Sequence, residues 1–142
     1  MSPDEWRVEG LDHMDASKSD AHGVSTKEAM VSRLTRIEQA TVCFSRANDT
    51  FLENKSRMHQ DLLSRCLDAA KSLDPEAMAV FSGTLVRGLK GGLIDEVAQV
   101  LEGFILMWRH HDVGSSNGDS AEALTILERI SKQVRDLKTV ND

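Results

Sequence analysis

Between Met30 and Leu62 the apolar positions recur in alternating steps of three and four, through Met30, Leu34, Ile37, Thr41, Phe44, Asn48, Phe51, Lys55, Met58 and Leu62. Such a step keeps one seam on one side of an α-helix and is the mark of heptad packing. Ser25 and Glu28 have the spacing of a capping box, and no Gly or Pro interrupts the chain from there to Pro75. The pattern predicts one helix from Ser25 to Ser72, about 70 Å long at about 1.5 Å per residue. A competing reading breaks it near Asn48-Asp49-Thr50, because Thr50 and Glu53 could form a second capping box and Asn and Asp are poor in helix interiors. The continuous helix is the expectation adopted.

Asp74-Pro75-Glu76 reads as the start of the next helix, with Asp as N-cap and Pro at the first helical position, where its missing N–H costs nothing. Met78, Phe81, Leu85 and Leu89 make its stripe, and Gly91-Gly92 supplies a left-handed end. A helix from Leu93 to about His111 follows at once, so the pair is predicted as an antiparallel αα-hairpin. This second helix is apolar on most sides and is the best core candidate. After a Gly/Ser/Asn loop over Asp112 to Gly118, Asp119 or Ser120 caps a last helix with the seam Leu124, Leu127, Ile130, Val134 and Leu137. The expected fold is therefore all-α: a helical bundle with one long heptad helix, a C-terminal hairpin and a last helix over residues 25–142.

Residues 1–24 mix Asp, Ser, His, Gly and Lys with scattered apolar groups, which predicts a disordered acidic arm that cannot bury enough surface to offset chain entropy. A short helix over Pro3 to Leu11, with Trp6, Val8 and Leu11, could form on a partner, but the expectation is an idle tail whose Trp6 rests on the body.

The net charge of −6 is unevenly spread: residues 1–24 hold six acidic and two basic groups. The basic residues Arg33, Arg36, Arg46, Lys55, Arg57 and Arg65 are interleaved with carboxylates, which makes a solvated face rather than a phosphate-binding patch. Tyr is absent and aromatics are few, so stacking platforms for single strands are lacking and nucleic acid is disfavoured as a partner. The strongest apolar run, Val97 to Trp108, contains Gln99 and Glu102 and is too short to cross a bilayer, so no membrane is expected. Cys43 and Cys66 have neither disulfide-framework nor metal spacing, and they suggest reduced thiols in a cytoplasm.

Candidate chemistry is sparse. Trp108-Arg109-His110-His111-Asp112 gathers titratable groups, yet consecutive histidines on a helix point about 100° apart, so a helix end near the negative pole of the macrodipole is the reading taken. Neither cysteine has a neighbouring His or an oxyanion loop, and the glycines around Arg87 and Lys90 follow no strand. No catalytic, cofactor or metal residue is assigned. The expected function is a non-enzymatic protein–protein interaction or oligomerisation module acting by helix–helix pairing, as a homodimer or with another helical protein. Its expected interface is Leu34, Ile37, Phe44, Asn48, Phe51 and Met58, with Thr41, Asn48 and Lys55 as polar register-setters. The alternative is an acidic inhibitor or decoy that blocks a basic, nucleic-acid-binding surface of a partner.

Overall fold

The computed structural model describes residues 1–19, 26–72, 74–109 and 118–141. Among them the chain forms α1 (Pro3–Ser19), α2 (Thr26–Arg46), α3 (Thr50–Ser72), α4 (Pro75–Lys90), α5 (Ile94–Arg109) and α6 (Gly118–Asn141). The chain divides into two compact units, Met1–Leu63 and Ser64–Asp142, and the division falls within α3.

The predicted long helix is interrupted between α2 and α3. Asn48 takes a left-handed conformation, φ 55°. The Asp49 N–H donates to the Phe44 carbonyl at 3.0 Å and the Asn48 N–H to that of Ser45 at 3.1 Å, the paired bonds of a Schellman turn. Asp49 then caps α3, its Oδ1 accepting the Leu52 N–H at 3.0 Å, one residue before the cap expected at Thr50. Asn tolerates the left-handed region because its short side chain satisfies local backbone groups. Asn48→Leu is expected to cost about 1–2 kcal/mol and Asn48→Gly to stay within about 1 kcal/mol of wild type, measured by denaturant melts. Equal stability of the Leu variant would contradict the turn.

The expected disordered arm is instead largely the helix α1. Ser2 and Glu5 form a capping box, with the Glu5 N–H on Ser2 Oγ at 3.2 Å and the Ser2 N–H on Glu5 Oε1 at 3.4 Å, and Pro3 opens the first turn. The inward face runs through Trp6, Gly10, His13 and Ser17, with Gly10 and Ser17 buried and the other two half-buried. Apart from Trp6 this face is small or polar, so a count of hydrophobic residues passes over it. Gly10 lets α1 approach α2 closely: a Cβ there would lie 2.6 Å from Cε1 of the fully buried Phe44. Trp6 lies under the Arg46 guanidinium, 4.6 Å from its ring centre, and Arg7 Nε donates to Asp49 Oδ2 at 2.9 Å. These pairings run α1 antiparallel to α2. Residues 20–25, including the expected Ser25 cap, lie outside the described residues.

Between α2 and α3, the Thr41 hydroxyl sits 2.9 Å from the Ile37 carbonyl and 2.8 Å from Ser56 Oγ, and Gln60 Nε2 donates to it. Thr41 and Ser56 are both buried, so this polar seam is satisfied within the first unit. Phe44, Ile37, Ala40, Leu62 and Leu63 supply its apolar core.

In the second unit the predicted hairpin is present. Pro75 opens α4, the Met78 N–H bonds to the Asp74 carbonyl at 2.9 Å, and α4 ends in another Schellman turn. Here Gly92 is the left-handed residue at φ 83°, with the Leu93 N–H on the Gly88 carbonyl and the Gly92 N–H on that of Leu89. Within this unit α5 packs against both α4 and α6. Val97, Val100, Leu101, Phe104 and Met107 of α5 are fully buried, and the Phe104 ring meets Phe81 at 5.2 Å and Trp108 at 5.7 Å. Leu127 and Val134 carry the α6 seam, and Lys138 Nζ reaches Asp95 Oδ1 at 3.1 Å. Leu137, expected in the seam, is exposed. No helix among the described residues is long and apolar enough to cross a membrane.

Candidate functional site

The outward face of α1 follows from the same helical phase that buries Gly10 and Ser17. Asp4, Glu5, Val8, Leu11, Asp12 and Asp15 all point to solvent, and positions 4, 8, 11 and 15 form one stripe. Val8 is 58% and Leu11 42% exposed. Asp4, Glu5, Val8, Glu9 and Asp12 line a shallow groove of about 330 Å³. The result is an apolar pair framed by carboxylates.

Of the carboxylates on this face, Arg7 pairs with Asp4. Its guanidinium is engaged by Asp49 and by Asp4 at 2.7 Å, and these hydrogen bonds, Asp49 first, hold it further toward the charged form. The Asp49 carboxyl is in turn held below the usual carboxylate range, first by the Leu52 N–H and then by Arg7. A depressed folded-state value means that this stabilisation is present above the ordinary carboxylate range and is lost as pH falls through the lowered value.

The six residues expected to share an interface do not form one surface: the turn at Asn48 divides them between α2 and α3, and two of the six are buried. Ile37 and Phe44 are buried in the first unit, while Leu34 and Met58 are half-buried on α2 and α3. Asn48 is exposed in the turn, and Phe51 is 74% exposed in the first turn of α3. Of these six, Phe51 is the large apolar side chain left facing solvent.

A second cluster, missed from sequence, lies where α1 meets α2. Glu9 and His13, one helical turn apart, meet Cys43, and their ligating atoms all lie within 4.8 Å of one another. Glu9 and His13 are half-buried and Cys43 is buried. His13 Nε2 stands 3.9 Å from Glu9 Oε1, and Arg36 Nη1 donates to His13 Nδ1 at 3.2 Å. Because Arg can only donate, Nδ1 accepts and the neutral ring carries its proton on Nε2. The remaining ring lone pair, on Nδ1, is then engaged by Arg36 rather than free to take the Cys43 proton. Burial first, and Glu9 second, push the Cys43 thiol up, against a smaller opposing effect of Arg46. These two facts argue against an activated thiol nucleophile. The one signal available in sequence was the Glu9-to-His13 spacing, which puts both on one helix face.

Elsewhere, Cys66 is buried and its Sγ donates weakly to the Val100 carbonyl at 3.9 Å. A cleft of about 460 Å³ beside α5 and α6 is lined by Glu102, Ile105, Leu106, Glu128, Ser131 and Arg135. The His110-His111-Asp112 part of the titratable cluster lies outside the described residues. No protein-family model, curated protein or solved structure matches the chain.

Proposed function

We propose that the protein is a non-enzymatic interaction module whose α1 helix pairs with a basic amphipathic helix of another protein. The observation that carries this reading is the exposed pair Val8 and Leu11 set among Asp4, Glu5, Asp12 and Asp15. A partner helix with apolar residues one turn apart and Lys or Arg on either side complements it in both shape and charge. The apolar contact supplies affinity, while the carboxylates speed encounter and select against acidic partners.

The acidic-decoy reading shares the carboxylates but does not need Val8 or Leu11. Fluorescence anisotropy with a labelled Leu/Lys/Arg amphipathic helical peptide separates the two. Val8→Ser combined with Leu11→Ser is expected to weaken binding by about tenfold or more, since about 1.4 kcal/mol of lost apolar contact is a factor of ten. Asp4→Lys with Asp12→Lys should mainly slow association and flatten the salt dependence. Binding that ignores the Ser variant and vanishes with moderate salt would favour the decoy. Pairing between two copies of the chain has a different carrier, Phe51, and light scattering on the same samples reports it.

A further inference from the structure

We propose that Glu9, His13 and Cys43 form a binding site for a divalent cation of the zinc class, which would clamp α1 onto α2. The donor set is a thiolate, an imidazole and a carboxylate, a combination that suits a four-coordinate ion of intermediate softness. Three protein ligands leave the fourth position to water.

Geometry supports the assignment. Bonds of about 2.0–2.3 Å to a tetrahedral ion place ligand atoms roughly 3.3–3.8 Å apart. The three atoms already lie within 4.8 Å of one another, and His13 Nε2 and Glu9 Oε1 are 3.9 Å apart. Closing the cluster from these separations to tetrahedral spacing asks for shifts of about 1 Å in the ligand atoms. Glu9 and His13 come from successive turns of one helix and Cys43 from its neighbour, so the cage is built on rigid elements rather than on a loop.

Arg36 opposes the ion in a specific way. A metal on Nε2 moves the ring proton to Nδ1, where it would face the Arg36 Nη1 donor now 3.2 Å away. Two donors cannot share that contact, so Arg36 must swing aside before the site fills. Binding also releases the Cys43 thiol proton to solvent. Replacing Arg36 by Gln supplies a carbonyl oxygen that accepts from Nδ1–H, the arrangement that orients metal-bound imidazoles. The natural chain thus holds its three ligands together with a removable guard on the imidazole.

The test is titration of the full-length protein with Co²⁺, followed by absorption. Expected is a near-ultraviolet thiolate-to-cobalt band with visible bands of four-coordinate intensity, saturating at one ion per chain and erased by Zn²⁺. Cys66→Ser should retain the thiolate band and Cys43→Ser should lose it. Arg36→Gln should tighten binding by about tenfold or more, the scale on which groups orienting a metal-bound His act. Absence of the band in both wild type and Arg36→Gln would overturn the site, and neither measurement requires a Cys43 variant to fold. A band surviving in Cys43→Ser, or weaker binding in Arg36→Gln, would overturn the assigned ligands.

Discussion

Phe104→Ala is expected to lower stability by about 3–5 kcal/mol, the range for emptying a buried aromatic site. Phe104 has no exposed surface and its ring bridges Phe81 of α4 and Trp108 of its own helix. The substitution removes both ring contacts, each worth about 0.5–1.5 kcal/mol beyond area burial, along with the burial itself. Its neighbours are held by Val97, Val100, Leu101 and Met107 on the same helix, all fully buried, so the cavity has little freedom to collapse. Trp6 and Trp108 lie in different units, so a Trp6→Phe background leaves a fluorescence signal specific to the second unit. A denaturant melt read from Trp108 gives the cost. A loss under about 1 kcal/mol would mean that Phe104 is not a core residue.

Deleting residues 1–24 is expected to lower the melting temperature of the first unit by on the order of 10 °C or more. Gly10 covers the Phe44 ring, and re-exposing a phenylalanine side chain costs about 1.5–3 kcal/mol. The Trp6–Arg46 contact and the Arg7–Asp49 pair are lost with it. For a body of this size each kcal/mol moves the midpoint by about 4–8 °C. Thermal melts of the full and shortened chains by circular dichroism make the comparison. A midpoint unchanged within about 2 °C would return residues 1–24 to the status of an idle tail.

The contrast between these two sites shows which physical signals a sequence carries openly. The hairpin of α4 and α5 could be read because its determinants are local and chemically unambiguous: Asp74-Pro75 at one end, Gly91-Gly92 at the other, and an apolar α5 between. The break at Asn48 was harder, since a three-four alternation counts positions and is blind to a single left-handed residue. Asn48-Asp49 held the information, and it competed with a periodicity that continues through Phe51, Met58 and Leu62. α1 is hidden for a different reason. Its buried face is Trp6, Gly10, His13 and Ser17, which packs by close approach and specific pairs and leaves almost no hydrophobic signature, although the Ser2-to-Glu5 capping box marked its start. The cluster of Glu9, His13 and Cys43 is hidden with it. Glu9 and His13 are visible as a pair, but Cys43 joins them only once α1 is laid along α2.

The consecutive antiparallel packing within each unit also bears on how the chain reaches its native state. α1 rests on α2 and α2 bonds to α3, while α4 rests on α5 and α5 on α6. Each partner is the next helix along, so every docking event closes a loop of only a few residues to a few turns, and little chain entropy is lost before contacts begin to repay it. Topologies of this kind have low contact order and fold on the microsecond-to-millisecond scale. The Schellman turns at Asn48 and Gly92 set the short loops that two of these contacts close. Substitutions there would therefore be felt in the rate of folding as well as in the final stability.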